Sequence, residues 1–274
     1  MLVIDILRII GCSWSTLIAA FLLVSQLCLR SFSDQGILHV CEEIVFLLAH
    51  LCLLFLARRN EESLCAFSAV SLQCLYGCLF ALLALEGSYV YSCSTNVRSS
   101  TTLIPFKSSI AVALGIPLAG AVVSGAAYWI EYPSLYACWT NYGHVTQWLT
   151  NGPVFISGSV ALITADAAGS DYGTYGQRYP ITQRSKHLTS LIGIPGVLCI
   201  TSVNLAFLAI GSEAVFNQRF SSYLLVFVLN IAGASFLAFF HILGNEKLRF
   251  LCGKIVKKVN GEWIRAVLPA SFRP

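Results

Sequence analysis

Ionisable side chains interrupt long apolar stretches of this sequence at Glu42, Glu43, His50, Glu86 and His241. Charged groups are costly inside a hydrocarbon layer, so such residues usually face the interior of a helical bundle and pair there. Glu86 either belongs to a polar lock that opens when a neighbouring helix moves, or is an interfacial residue wetted by lipid headgroups. His241 could join the same lock. His50 is either a hydrogen-bonded core histidine or a donor in a ligand cavity.

The adjacent pair Glu42 and Glu43 poses a geometric problem. Neighbouring residues on an α-helix point about 100° apart, so both side chains cannot face the same point in a bundle. We expect one of them to face inward and the other to snorkel to the membrane surface or to pair with Arg98 or Lys107.

The sequence contains no arrangement typical of an enzyme or of a metal centre. Histidine occurs at His39, His50, His144, His187 and His241, and no two are four residues apart, as the His-Glu-x-x-His motif requires. A Gly-x-Ser-x-Gly nucleophile elbow and a phosphate-binding loop are also missing. We therefore expect no catalytic residues, no cofactor and no bound metal.

Seven apolar stretches position these residues, and each is long enough to cross a bilayer, which takes about 20 residues. The stretches cover residues 6–29, 37–57, 64–91, 108–130, 147–168, 188–211 and 220–243. Composition agrees, because 57% of the residues are hydrophobic and 11% are charged, against about 25% charged in globular proteins. We predict an all-α, seven-transmembrane helix bundle over residues 1–244.

The basic residues predict the orientation, since Lys and Arg favour the cytoplasmic side of short loops. With the N-terminus outside, all but four of the 17 basic residues are cytoplasmic. The net charge of +4 then reflects topology and a basic tail resting on anionic lipid, with no role in nucleic-acid binding. We predict a multi-pass plasma-membrane protein whose residues 245–274 form a cytoplasmic amphipathic helix and tail. In that helix, Cys252 is either palmitoylated or a free interfacial thiol.

Two further features concern the outer side and helix six. Cys65 opens helix three and Cys138 lies in the loop between helices four and five, both facing the oxidising compartment, where disulfides persist. We predict a bridge between them, the alternative being two unpaired thiols. In helix six, Pro195 removes a backbone hydrogen bond next to Gly196. These two residues form a hinge, a static bend that shapes a cavity, or both.

Several short motifs follow one another in a recognisable order. They are Cys65 at the start of helix three, Leu85-Glu86-Gly87 near its end, Cys138-Trp139 in the second outer loop, Trp148 and Gly152-Pro153 in helix five, and Phe240-His241 followed by Asn245 and Arg249. Taken together, these motifs resemble the seven-helix domain of adhesion-class G-protein-coupled receptors, within the secretin-like group. The resemblance covers the whole chain.

The resemblance implies a function and a set of site residues. A stimulus on the outer side would be relayed through helices six and seven to a heterotrimeric G protein. It favours the lock interpretation for Glu86 and His241. We expect a ligand cavity lined by Trp139, Trp148, Asn204 and Asn230 and closed above by the Cys65–Cys138 bridge.

The chain also departs from the family in three places. The family usually has an extracellular autoproteolysis-inducing domain, whereas only residues 1–5 precede the first span, so we expect no self-cleavage and no tethered agonist on this polypeptide. The helix-six Trp of the family falls on Thr201 or Ser202, and the family's Asn-x-x-Gln-Gly run keeps Asn230 but has Gly233 in place of Gln. The last two departures lie where the family couples an agonist to helix movement.

Two other functions therefore remain open. One is a non-signalling truncated partner that dimerises with full-length receptors through helix four, where Gly115, Ala119 and Gly120 form a small-residue seam. The other is a transporter of protons or small solutes, in which Glu42, Glu43, Glu86 and His50 line the path. Lipids would be partners in every case.

Overall fold

A computed structural model describes residues 2–29, 33–56, 62–94, 106–131, 138–139, 145–175, 181–213, 216–245, 247–250 and 252–254. Within these ranges the backbone is helical almost throughout. The long helices are α1 (Leu2–Cys28), α2 (Asp34–Leu51), α3 (Glu62–Ser94), α4 (Phe106–Tyr128), α5 (Val145–Tyr175), α6 (Ile181–Glu213) and α7 (Phe216–Gly244). A π-helical turn, Cys52–Leu56, continues α2, and a 3-10 turn, Trp129–Glu131, ends α4.

All seven helices contain a segment long and apolar enough to cross a membrane. These segments agree with the predicted spans to within three residues at each end. The agreement confirms the prediction of an all-helical, multi-pass architecture. The orientation with the N-terminus outside stays a prediction based on the basic residues.

The chain turns directly after α7, where the side-chain oxygen of Asn245 accepts hydrogen bonds from the next two described backbone N–H groups. Residues 247–250 and 252–254 have helical backbone. Leu248 is fully buried and packs against Leu22 of α1. The rest of the predicted amphipathic helix and tail lies outside the described residues, so the amphipathic helix stays a prediction.

The helix α3 lies at the centre of the bundle. It contacts α2, α4, α5 and α6, and 61% of its most apolar segment is inside the protein, compared with 17% for α4. Its middle part supplies fully buried Tyr76, Phe80 and Leu83 to the main core. A polar residue on α3 therefore faces other helices, and its hydrogen-bond partners must come from them.

Close contact between α3 and α5 depends on Gly87. A Cβ atom at this position would lie 2.5 Å from Oγ1 of Thr164 and 3.1 Å from the backbone oxygen of Ala161. By contrast, a Cβ atom on Gly120 of α4 would meet nothing within 4 Å. The glycine that follows Glu86 thus allows α5 to pack directly against the end of α3.

We expect Gly87→Ala to destabilise the bundle by about 1–3 kcal/mol, the usual cost of inserting a methyl group into a packed interface. The backbone of α5 cannot move aside as a flexible side chain would. The midpoint of thermal unfolding in detergent measures the effect. Gly120→Ala is the matched control, and we expect its midpoint to equal or exceed that of the unmodified protein because alanine favours helix. Equal midpoints for the two variants would contradict the close α3–α5 contact.

Candidate functional site

A buried cluster of polar side chains lies at the end of the bundle opposite Cys65, and we call it the polar cluster. Its members are Gln26, Gln35, His39, Glu42, Glu43, Glu86, Ser190 and His241. They come from five helices, α1, α2, α3, α6 and α7. Glu86 lies about 31 Å along α3 from Cys65, at 1.5 Å per residue. In the predicted orientation, this end of the bundle faces the cytoplasm.

The helical repeat of α2 explains why this helix supplies half of the polar cluster. Gln35, His39 and Glu42 are spaced by four and three residues, so their side chains form one stripe along the helix. The start of α2 is fixed by Ser33, whose hydroxyl oxygen accepts a hydrogen bond from the backbone N–H of Gly36. This cap sets the register in which the stripe faces α3 and α6.

Glu86 joins three helices. Its Oε1 lies 2.9 Å from Nε2 of His39 on α2, and the hydroxyl of Ser190 on α6 donates to the same oxygen at 2.7 Å. Because an ionised carboxylate only accepts hydrogen bonds, the imidazole N–H is the donor. Nε2 of Gln35 in turn donates to the Ser190 hydroxyl at 2.7 Å. The result is a chain of short hydrogen bonds linking α2, α3 and α6.

His241 on α7 is held by both adjacent glutamates of α2. Its Nδ1 lies 2.8 Å from Oε1 of Glu43, and its Nε2 lies 3.5 Å from Oε2 of Glu42. Nε2 of Gln26 on α1 donates to Oε1 of Glu43 at 2.6 Å. This half of the polar cluster therefore links α1, α2 and α7.

The two halves meet where the imidazole rings of His39 and His241 stack. Their centroids are 4.2 Å apart and their planes differ by 10°. Glu86 and His241, the two residues predicted to form a lock, thus lie in one cluster and are connected through His39. The sequence had not indicated His39 or Ser190 as members. That the cluster opens during function stays a prediction.

The expectation that only one of Glu42 and Glu43 faces inward is wrong. Both side chains are completely buried, and both contact His241. The reason is that α2 packs between α1 and α3, so directions 100° apart both lead into protein. The proposed partner Lys107 is exposed at the start of α4, and Arg98 lies outside the described residues.

A cavity adjoins the polar cluster, with about 290 Å³ of empty space that includes its open mouth. Its polar wall is formed by His39, Glu42, Glu86, Ser190 and His241. One ligand atom each from His39, Glu42 and His241 lies within 4.8 Å of the other two. Two imidazoles and a carboxylate are a ligand set that can hold a metal ion.

Spacing along the sequence could not reveal the group of His39, Glu42 and His241, because α2 and α7 lie far apart in the sequence. The only sequence signal is that His39 and Glu42 are one helical turn apart.

The residues predicted to line an outer ligand cavity occupy different environments. Nδ2 of Asn204 donates to Oδ1 of Asn230 at 2.7 Å, joining α6 to α7 inside the bundle. Trp139 is buried and meets Tyr76 edge to face. The side chain of Trp148 is 68% exposed on the outside of α5. The structure therefore brings the two asparagines together and places Trp148 apart from the core.

The predicted disulfide between Cys65 and Cys138 is present, with a Cα–Cα distance of 4.7 Å. It fixes Cys138 to the first turn of α3. His50 is buried, and its Nδ1 bonds to the backbone oxygen of Phe46 one turn earlier at 2.9 Å. That contact favours the interpretation of His50 as a core histidine.

The segment of α6 around Pro195 packs tightly against α7. The helix continues through this proline. A Cβ atom on Gly193 would lie 3.1 Å from the ring of Phe240, and one on Gly196 would overlap the ring of Phe236. The glycines therefore allow the two helices to approach, and the hinge at Pro195 and Gly196 stays a prediction.

Comparison of the chain with protein-family models and with curated proteins gave no match. The resemblance to adhesion-class receptors therefore rests on the motifs and on their order along the helices.

Proposed function

We propose that this chain is a receptor-like transmembrane domain of the adhesion-class type, located in the plasma membrane, which relays an outer stimulus to a heterotrimeric G protein. The observation that supports this function is the polar cluster. It links α2, α3, α6 and α7 through short hydrogen bonds at the end of the bundle that is predicted to face the cytoplasm. A cluster of this kind holds helices together until one of them moves.

The bonds of the Ser190 hydroxyl to Glu86 and Gln35 are contacts that α6 must break in order to move. Ser190 lies five residues before Pro195, so a change of bend at the proline would draw the serine away from α3. A hydrogen bond to a charged group contributes about 1.5–3 kcal/mol. Allosteric coupling energies are typically about 1–3 kcal/mol, so binding energy at the outer side is sufficient to shift this equilibrium.

The hydrogen bond between Asn204 and Asn230 would transmit a stimulus from the outer side of the bundle to the contact between Ser190 and Glu86. Both asparagines are buried, and their hydrogen bond joins the two helices that the mechanism requires to move relative to each other. At the predicted position of the family's helix-six Trp the chain has Thr201, which is buried, or Ser202, which is exposed. Coupling in this chain would therefore depend on the amide pair in place of an aromatic switch.

Basal nucleotide exchange on a panel of G proteins, in membranes expressing the chain, tests the proposal. We expect Ser190→Ala to raise exchange several-fold over the unmodified protein, since α6 loses its bonds to Glu86 and Gln35 while little volume changes. Ser159→Ala, at an exposed position on α5, is the matched control and should change nothing. Surface delivery of each variant is measured in parallel, with Cys65→Ala as the control for folding.

No exchange from surface-delivered protein, with or without the Ser190 substitution, would exclude autonomous signalling. The proposal of a non-signalling partner would then be preferred, with dimerisation through the exposed, open surface around Gly115 and Gly120 of α4.

A proton-coupled transporter is the second candidate, and one specific observation favours it. Neither side-chain oxygen of Glu42 makes a hydrogen bond to a described residue, although the side chain is fully buried beside a cavity. A carboxyl group in that position can take up and release a proton. This function predicts pH-driven solute flux in liposomes, lost in Glu42→Gln, and no nucleotide exchange on any G protein.

A further inference from the structure

We infer that His39, Glu42 and His241 bind a divalent transition-metal ion, with Zn²⁺ as the best fit. The ion would connect α2 to α7 inside the bundle. The inference rests on the geometry of the polar cluster alone and holds whether or not the chain signals.

The distances between the ligand atoms suit a small ion. Zinc binds imidazole nitrogen and carboxylate oxygen at about 2.0–2.2 Å in tetrahedral geometry, which places ligand atoms about 3.4 Å apart. One atom each from His39, Glu42 and His241 already lies within 4.8 Å of the other two, and Nε2 of His241 is 3.5 Å from Oε2 of Glu42. The remaining closure is at most about 1.4 Å. Because the two rings stack with planes 10° apart and a metal lies in the plane of each imidazole it binds, one ring must also turn about χ2, a torsion with a broad energy well.

Both imidazoles are oriented by a second carboxylate, as in metal sites. Histidine ligands generally donate their other ring N–H to a carboxylate or carbonyl group, which fixes the tautomer and directs the lone pair at the metal. Nδ1 of His241 is bonded to Glu43, so in a neutral imidazole that donates from Nδ1 the lone pair on Nε2 would be available to an ion on the side of Glu42. Nε2 of His39 is bonded to Glu86, which leaves Nδ1 as the metal-binding nitrogen. Gln26 supports Glu43 in turn.

Glu42 is the residue that most needs a cation. Its side chain is completely buried, and its contact with a described polar group is the 3.5 Å approach of Oε2 to Nε2 of His241, which is longer than a good hydrogen bond. Burying a carboxylate with weak pairing is strongly unfavourable. A metal ion would give Glu42 a stronger partner than this long contact. It would also offset the charge of three carboxyl groups that share only two imidazoles, and the adjoining cavity leaves room for a water molecule as fourth ligand.

The ligand types select the class of ion. Mg²⁺ and Ca²⁺ prefer all-oxygen environments, whereas two imidazoles and one carboxylate suit Zn²⁺ and neighbouring transition metals. Because the ligands come from α2 and α7, a bound ion would hold these helices at a fixed separation. Metal binding should therefore raise the thermal stability of the whole bundle.

Titration of the full chain with CoCl₂ tests the inference. Co²⁺ occupies the same sites as Zn²⁺, and it absorbs visible light strongly when it is four-coordinate. The protein is purified in detergent with a tag that lacks histidine, and any metal is first removed with a chelator. We expect the absorption to saturate at one equivalent of Co²⁺, to disappear on addition of Zn²⁺ and to persist with Mg²⁺. The thermal midpoint should rise with Zn²⁺ and stay unchanged with Mg²⁺.

Variants locate the ion. Glu42→Gln keeps the side-chain volume but removes the charged ligand, and we expect it to weaken Co²⁺ binding by about 100-fold or more. Glu43→Gln alters only the residue that orients His241, so we expect a loss of about 10–100-fold. Glu62→Gln makes the same chemical change at an exposed position at the start of α3 and should bind like the unmodified protein.

Unchanged Co²⁺ affinity in Glu42→Gln would overturn the inference, because it would assign the ion to other groups such as the free cysteines. Absence of one-equivalent binding to unmodified protein that still unfolds cooperatively would overturn it as well. If Glu42→Gln fails to fold, the spectrum of the unmodified chain and the affinity of Glu43→Gln still decide the question.

Discussion

Glu86→Ala should lower the free energy of unfolding by about 2–6 kcal/mol, since each buried donor left without an acceptor costs about 1–3 kcal/mol and the truncation leaves two of them. The carboxylate accepts from both His39 and Ser190, and its side chain is nearly inaccessible to solvent. The truncation leaves both donors buried without an acceptor, and each such group has its own desolvation cost. Denaturation of the purified chain in mixed detergent micelles measures the loss.

Ser88→Ala, two residues further along α3, provides the comparison. The Ser88 hydroxyl donates only to the backbone oxygen of Ala84 in the preceding turn, as far as its described contacts show. We expect its removal to cost no more than about 1 kcal/mol. Glu86→Gln, which keeps an acceptor oxygen, should fall between the two. Similar losses for Glu86→Ala and Ser88→Ala would favour the alternative in which lipid headgroups hydrate Glu86.

The helices could be predicted from the sequence because a transmembrane span is a local property. Length and hydropathy of one segment are sufficient, and all seven segments were located to within three residues. The disulfide was predicted for a similar reason, since only Cys65 and Cys138 combine an outer position with a place at the end or outside of a span. Neither prediction depends on how the helices are oriented about their own axes in the bundle.

The membership of the polar cluster depends on that rotation and could not be predicted. His39 and Glu86 are 47 residues apart, and His241 and Glu43 are 198 residues apart. No pattern within one helix indicates which residue on another helix will face it. Glu43 illustrates the error that follows, because the 100° rule applies to a helix with one buried face, whereas α2 is covered on several sides.

Trp148 shows the opposite error to Glu43, because it was predicted to line a cavity and is largely exposed. A tryptophan at the start of a span can face a cavity or the lipid interface equally well from sequence, and its side chain is largely exposed in the structure. Gly87 was noted only as part of a motif, and its role became apparent from the proximity of Ala161 and Thr164. In both cases the missing information is the direction of a side chain relative to neighbouring helices.

Cys65→Ala is expected to lower the free energy of unfolding by about 2–4 kcal/mol, the typical contribution of a disulfide. The bridge joins residues 73 positions apart in the chain, so it closes a long loop that contains α3 and α4 and restricts the unfolded chain accordingly. Next to it, Trp139 packs in the main core, and this contact should loosen when the bridge is absent. Unfolding with and without reductant measures the effect in the unmodified protein.

A double-mutant cycle separates the bridge from the packing of the individual thiols. If the covalent bond is the main contribution, Cys65→Ala, Cys138→Ala and the double variant should lose nearly the same stability, because the bond is lost once in each case. Cys28→Ala, at an exposed free cysteine, should be neutral. Additive losses in the double variant would mean that the two side chains stabilise the fold independently, as packed apolar groups.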